Sequence, residues 1–255
     1  MYLPSFSLEN KLAVVTGGTK GIGKAIAMSF AESGAHVVII ARNEKDLEST
    51  QQEIRQLGRE SYTICRDVNE YKEIIKDVEE LRGNQSIDIW VNNAGINIRS
   101  EAESVSEEEW DQIVSTNMKS AFFLSQYAGK VMKKQGEGKI INISSVGGHI
   151  ALRTGVVYAM TKSALIQMTK NLALEWGKYN INVNAIGPWY FPTALTEALL
   201  EDEEYVQAIL DRTPLNRIGK LEELAGAAVF LASPAGNYMT GQTLLVDGGM
   251  SIYGF

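Results

Sequence analysis

Short apolar runs alternate with amphipathic stretches along all 255 residues. Lys11–Thr16 (KLAVVT) predicts a first strand. Ile22–Ser33 then has helical spacing and stops at Gly34, a suitable residue just past a helix end. His36–Ala41 is a second strand, rich in β-branched residues. Glu44–Leu57 predicts a helix closed by Gly58, Ser61–Cys65 a third strand, Glu70–Leu81 a helix and Ile87–Val91 a fourth strand. Ser106 followed by Glu109 is a capping-box pattern, opening one helix that is expected to run to about Lys134. Lys139–Ile143 and Asn182–Ile186 read as strands, with a long helix between them at Val156–Lys178. Thr196–Asp211 predicts one or two acidic, exposed helices, Leu221–Leu231 another helix, and Thr243–Val246 a last strand. Seven short apolar strands separated by helices imply an α/β doubly wound (Rossmann) fold: one seven-stranded parallel sheet with helices on both faces. No linker or repeat interrupts the pattern, so residues 1–255 are expected to form a single dinucleotide-binding and catalytic domain. The irregular stretch Gly187–Leu195 follows a strand, on the edge where such sheets bind ligands, and opens a predicted substrate lid at about 187–215.

Charge and cysteine content narrow the partners. The formal net charge of −7 argues against nonspecific nucleic-acid binding, though a local basic pocket remains compatible with it. The one cysteine, Cys65, rules out an intrachain disulfide and ends a predicted strand, which favours a structural role over a catalytic thiol. The N-terminal residues lack a signal-peptide pattern, and no apolar run is long enough to span a bilayer. The expected location is the cytoplasm. His36 and His149 are the only histidines, and no metal-ligand spacing is present, so no metal site is expected.

The first strand leads directly into TGGTKGIG, Thr16 to Gly23. Gly17, Gly21 and Gly23 between a strand and a helix let backbone turn tightly and approach a pyrophosphate, whose charge suits the helix N-terminus. A glycine triplet alone also fits an ordinary turn. Its place in the first strand–helix unit makes it a candidate cofactor loop, contributed by Thr16, Gly17, Thr19, Lys20, Gly21, Ile22 and Gly23. The second strand ends at Ala41-Arg42-Asn43, without the acid that would accept from a ribose 2′-hydroxyl and repel a 2′-phosphate. Arg42 and Lys20 are placed to clamp such a phosphate, which favours NADP(H) over NAD; two solvated surface cations are the plain alternative.

The spacing TGxxxGxG resembles that of the short-chain dehydrogenase/reductase family. The resemblance implies an adenine-binding pair at Asp67-Val68, after the third strand. It also implies an adenosine contact at Asn92-Asn93-Ala94-Gly95, which matches the family's NNAG signature. Tyr158 and Lys162 lie four apart, on one face of the long helix, and Ser145 lies thirteen residues before Tyr158. Ser-x12-Tyr-x3-Lys resembles the family's active site, and with the glycine loop and NNAG the resemblance spans essentially the whole chain.

These residue types suit carbonyl reduction and alcohol oxidation. Negative charge building on a substrate oxygen needs a proton, and a free tyrosine, with a pKa of about 10, is a poor base near neutrality. A nearby ammonium stabilises phenolate, so Lys162 is expected to lower the pKa of Tyr158. Tyr158 then gives the proton in reduction and takes it in oxidation. Ser145 orients the substrate oxygen; Ser144 competes for this role, one residue off the spacing. The resemblance further implies that Lys162 bonds the nicotinamide ribose and that Asn117, in STNMKS, is a fourth catalytic residue holding a water next to the lysine. A helix-interior Asn satisfied by backbone is the plain alternative for Asn117.

The substrate is less constrained. After the sixth strand comes Gly187-Pro188-Trp189-Tyr190-Phe191-Pro192-Thr193. Pro188 and Thr193 match the family pattern, in which the threonine contacts the nicotinamide carboxamide. Trp189 stands where glycine is usual, as in tropinone-reductase-like members, and puts the local backbone path in question. Ser145, His149, Trp189 and Tyr190 are expected to line the substrate pocket. FSLENKLAVVTGG and RTPLNRIGKLEELAGAAVFLAS resemble gluconate 5-dehydrogenases and related sugar-acid enzymes, and overlap with 3-oxoacyl-carrier-protein reductases. The expected activity is an NADP(H)-dependent oxidoreductase interconverting a secondary alcohol and a ketone on a sugar acid or polyol. A 3-oxoacyl or general ketone reductase is the alternative, favoured by the aromatic triplet, and a noncatalytic NADP sensor is a third reading. The long helix carries apolar residues on several faces, and the resemblance implies a homotetramer, with a dimer as the other assembly.

Overall fold

The computed structural model describes residues 2–253. Seven parallel strands form one sheet: β1 (Leu12–Thr16), β2 (His36–Ala41), β3 (Ser61–Cys65), β4 (Ile89–Asn92), β5 (Gly138–Ile143), β6 (Ile181–Pro188) and β7 (Thr243–Val246), in spatial order β3-β2-β1-β4-β5-β6-β7. The order reverses between β1 and β4. That crevice, outside the carboxyl ends of the strands, is where doubly wound sheets bind ligands.

Strand residues alternate between two cores. Val15, Val37, Ile39 and Val91 face α1 (Gly21–Glu32) and α9 (Leu221–Ala232). Val14, Val38, Ile40 and Trp90 face the opposite layer, formed by α3 (Tyr71–Arg82), α5 (Ser120–Gln135) and α6 (Val156–Trp176). Burial of both faces is what makes these strands continuous apolar runs rather than alternating ones. α2 (Glu44–Gln56) is capped by the Asn43 side chain, which accepts a bond from the Asp46 amide, and covers the outer strands through Leu47 and Ile54.

Two departures from the sequence expectation bear on the site. The helix opened by Ser106 runs to Gln135, close to the expected end, but is not α-helical throughout. α4 (Glu107–Val114) passes into a π-helical turn at Ser115–Lys119 before α5 begins. The wider turn lies at Thr116 and Asn117, both buried against neighbouring segments, so tertiary contacts override a sequence pattern that reads as one helix. The sixth strand also runs on through Pro188. The Trp189 amide bonds the Val246 carbonyl at 3.2 Å, so the tryptophan leaves the sheet edge paired and the backbone path continues smoothly. Beyond it lie two short helices, α7 (Glu197–Leu200) and α8 (Glu203–Leu210).

A buried polar chain fixes the sheet's active edge. Trp90 Nε1 donates to Asn92 Oδ1 (2.9 Å), Asn92 Nδ2 to Ser125 Oγ and Asn142 Oδ1 (2.8 Å each), and Asn142 Nδ2 to Thr169 Oγ1 (2.9 Å). Asn92 and Asn142 are paired in register across β4 and β5. The chain joins two strands to α5 and α6 and gives each buried amide along it a partner.

Candidate active site

The glycine turn is tightly built. Gly17 has φ +65°, the left-handed region, and its amide donates to the Ile40 carbonyl at 2.7 Å. A Cβ at Gly23 would collide with the Gly17 carbonyl oxygen. No acidic residue occupies the first turn of α1, and Lys20 at its N-cap makes no side-chain cap bond. The helix end therefore keeps its positive end and its amide donors for an anion. A pyrophosphate fits this cradle, and the turn has no room for a larger residue.

Thr16 and Asn93 serve the turn from behind. Thr16 is buried, and its Oγ1 donates to the Val91 carbonyl and accepts from the amides of Asn93 (3.0 Å) and Ala94 (3.1 Å). Asn93 Nδ2 donates to the carbonyls of Thr16 and Gly17. The Thr16 side chain thus belongs to the scaffold of the turn, not to its open face. Thr19 is half-buried in the turn, Ile22 lines the neighbouring cavity, and Gly21 packs beside Thr193.

The two cations predicted to hold a 2′-phosphate sit on carboxylates. Lys20 Nζ is 2.8 Å from Asp46 Oδ2, and Arg42 is 3.6 Å from Asp67 Oδ2. Both cations are largely exposed, so these pairs are weak and a phosphate dianion can displace them. Asp67 also caps the short turn after β3 by accepting from the Asn69 amide, with Val68 buried beneath it. Cys65 is exposed at the end of β3, outside either core, and His36 accepts a bond from the Glu60 amide at the start of β2.

The chemical residues converge at the ends of β4 and β5. Tyr158 stands in the first turn of α6, with Lys162 one turn on. The Lys162 ammonium donates to the Ile143 carbonyl at 2.8 Å and lies 5.4 Å from the centroid of the Tyr158 ring. A Cβ at Gly95 would stand 3.3 Å from Asn117 Oδ1 and 3.5 Å from Lys162 Nζ, so NNAG, Asn117 and the lysine meet at one point. Asn117 is fully engaged as a donor: Nδ2 bonds the Ile96 carbonyl (2.8 Å) and Thr161 Oγ1 (3.2 Å), while Oδ1 accepts from the Ile96 amide (2.8 Å). Its side chain ties the loop after β4 to α6. The two serines separate cleanly. Ser144 Oγ is buried and donates to the Lys162 carbonyl, whereas Ser145 lines the cavity with Tyr158.

Electrostatics at this point differ from the sequence expectation. Burial pushes the Tyr158 phenol above its usual pKa, opposed by the Ser145 hydroxyl and by the charge of Arg99. Burial also pulls Lys162 down to about 8. The groups that lower the phenol are Ser145 and Arg99, not Lys162, and desolvation outweighs both.

A cavity of about 290 Å³ opens beside these groups. Ser145, Trp189 and Tyr190 line it, and so do Tyr158, Pro188 and Thr193. His149 does not: it is exposed, and the residues that follow it, Ile150 to Thr154, take the wall. The sequence reading missed Asn97, Tyr205 and above all Arg99, Arg153 and Arg212. None of the three arginines forms a salt bridge among the described residues, and no aspartate or glutamate lines the cavity. A positive cavity in a chain of net charge −7 is not visible from composition. The available signal was the placing of arginines in three segments flanking the motifs: after NNAG, between Ser145 and Tyr158, and past the acidic helices.

Among the described residues, no group of His, Cys, Asp and Glu could hold a metal ion, and no helix is long and apolar enough to cross a membrane.

A parallel sheet with a glycine turn at its crevice, Ser145 and Tyr158 on one cavity and Lys162 one helical turn from the tyrosine define a dinucleotide-dependent dehydrogenase/reductase site. The chain belongs to the short-chain dehydrogenase/reductase family: the family model described as enoyl-(acyl carrier protein) reductase matches residues 17–251. A tropinone reductase homolog of Arabidopsis thaliana is 42% identical over 252 residues, covering 98% of this chain and 96% of the relative. Gluconate 5-dehydrogenase of Gluconobacter oxydans is 41% identical over 249 residues, covering 97% of each. The crystal structure of a gluconate 5-dehydrogenase from Burkholderia cenocepacia in complex with NADP and tartrate superposes with a TM-score of 0.94, at 37% identity and 99% coverage of both chains.

Proposed function

We propose that this chain is an NADP(H)-dependent oxidoreductase that interconverts a secondary alcohol and a ketone on a sugar acid. The observation that carries the substrate class is the set of guanidiniums, Arg99, Arg153 and Arg212, which form no salt bridge among the described residues and line a cavity with no aspartate or glutamate that also holds Ser145 and Tyr158. Arginine binds carboxylate through charge-assisted, often bidentate bonds, and here no internal carboxylate competes. The likeness to gluconate 5-dehydrogenase supports the same class, and the NADP in the Burkholderia complex supports the cofactor.

The glycine turn and the N-terminus of α1 would hold the pyrophosphate, and Lys20 and Arg42 the 2′-phosphate, exchanging Asp46 and Asp67 for it. Asp67 and Val68 would flank the adenine, Asn93, Ala94 and Gly95 its ribose, and Pro188 and Thr193 the nicotinamide. When bound, the nicotinamide supplies or accepts the hydride. Ser145 Oγ holds the substrate oxygen, and Tyr158 Oη gives it a proton in reduction or takes one in oxidation. Lys162, held by the Ile143 carbonyl and by a helix tied to Asn117, keeps a cation beside the phenol as charge develops on it.

Residues 1–255 would act as one domain, with 187–215 as lid. Trp110, Phe122, Val156, Met160 and Leu174 are exposed on α4, α5 and α6, which supports a homotetramer, testable by light scattering. A single cysteine and the absence of a membrane-length helix among the described residues support a cytoplasmic setting.

The test is NADPH consumption with a panel holding 5-dehydro-D-gluconate, an uncharged ketone and a 3-oxoacyl thioester. Turnover of the keto acid, reduced at least tenfold in Arg99→Ala, is the expected result. Preference for the uncharged ketone or the thioester would overturn the substrate class in favour of a general ketone or 3-oxoacyl reductase. No turnover of any of the three would favour a sensor.

A further inference from the structure

One part of the cavity wall has a construction of its own. Tyr190 and Tyr205 both line the cavity, and their hydroxyls lie 2.7 Å apart, with either able to donate. Their rings meet edge to face at 74°, and Trp189 packs against Tyr190 at 82° with centroids 4.6 Å apart. Trp189 Nε1 donates to Thr213 Oγ1 at 3.1 Å, and Thr213 in turn donates to the Ile209 carbonyl at the end of α8. The Arg153 guanidinium lies over the Tyr205 ring, 5.6 Å from its centroid. Arg99 donates to the Leu195 carbonyl. The two phenols are therefore held in place by packing from three segments, and their oxygens are joined to each other.

We infer that the Tyr190–Tyr205 hydroxyl pair is a specificity subsite that reads hydroxyl groups on the substrate chain, while the arginines read its carboxylate. The inference rests on the sugar-acid reading and adds to it. Two joined phenols use one O–H between them, leaving one donor and acceptor lone pairs among the four polar functions. Such a pair both donates and accepts, as a substrate hydroxyl does. A guanidinium only donates, which suits a carboxylate and not the full bonding of an alcohol. Burial and the shared bond push the Tyr190 phenol up, which favours its O–H form over a phenolate. A substrate lacking hydroxyls would leave these polar groups facing apolar chain, and a site built for hydroxyls rejects such an analogue strongly. The expected substrate is a polyhydroxy carboxylic acid with hydroxyls beyond the reacting carbon.

The experiment compares 5-dehydro-D-gluconate with 5-oxohexanoate, a keto acid of the same length without hydroxyls, in the full-length enzyme with NADPH. The readout is the ratio of kcat/KM for the two acids, which does not depend on the active fraction. The wild type is expected to favour the hydroxylated acid. In Tyr205→Phe the ratio should fall about tenfold, the value of one hydrogen bond, mainly through KM for the hydroxylated acid. Tyr190→Phe should lower the same ratio and serves as the second reading if Tyr205→Phe folds poorly. A ratio unchanged in both variants, or equal losses on the two acids, would overturn the subsite. A wild type that reduces 5-oxohexanoate as well as the hydroxylated acid would overturn the subsite but leave the carboxylate reading standing. A wild type that reduces neither would remove the sugar-acid reading and the subsite with it.

Discussion

The Lys162 ammonium lies 5.4 Å from the centroid of the Tyr158 ring and donates to the carbonyl of Ile143, the last residue of β5. The contact joins α6 to the sheet edge. It also sets two titratable groups side by side in a poorly solvated place, where desolvation is the largest influence on each. Burial lowers Lys162 to about 8 and raises Tyr158, so both lean toward their neutral forms.

Lys162 therefore makes stability depend on pH. Its pKa is lower folded than unfolded, so between about 8 and 10.5 the unfolded chain binds more protons, and stability rises with pH across that window. Relative to Lys162→Met, which cannot titrate, the wild type should gain about 2 kcal/mol between pH 7 and pH 9.5. Urea denaturation of both proteins at the two pH values measures it. Parallel curves for the two proteins would show that Lys162 titrates normally in the fold.

Ser144 and Ser145 are adjacent but should behave differently. Ser145→Ala should lower kcat by about 10²–10³-fold, because the substrate oxygen loses its donor. Ser144→Ala should lose about 1 kcal/mol of stability through its bond to the Lys162 carbonyl and keep turnover within a few-fold. Steady-state kinetics and denaturation of the pair distinguish the roles; a larger kinetic loss in Ser144→Ala would reverse the assignment.

Cofactor choice should follow the charge at the end of β2. Arg42→Asp places a carboxylate where a 2′-phosphate is expected and next to Asp67. The ratio of kcat/KM for NADPH over NADH should fall at least tenfold, given the cost of juxtaposed like charges. An unchanged ratio would mean that the phosphate is read elsewhere.

The amide chain beneath the site should be costly to break. Asn142→Ala removes the acceptor for Asn92 and the donor to Thr169, both buried, and leaves a small void. A loss of about 2–4 kcal/mol is expected in chemical denaturation. A loss below about 0.5 kcal/mol would indicate that the neighbours re-pair.

Much of this protein follows from residues read in order. The strands and their sequence of crossovers are local patterns: β-branched apolar runs such as His36–Ala41, caps such as Ser106, and glycines where the backbone turns. The glycine turn and Ser145, Tyr158 and Lys162 were legible too, because a helix puts residues four apart on one face and a parallel sheet sends its strand ends to one edge. What lies between distant segments was not. The π turn at Asn117 exists because Ile96 and Thr161 engage that side chain from two other segments, and no local period encodes it. His149 faces outward, although its distance from Ser145 suggested the pocket. Arg99, Arg153 and Arg212, separated by more than fifty residues at each step, become one positive cavity only once β4, β5 and α8 are brought together. The balance of charge and burial at Tyr158 was decided in the same way. Desolvation depends on what the whole fold packs around a group, whereas spacing along a helix reveals only its nearest neighbours.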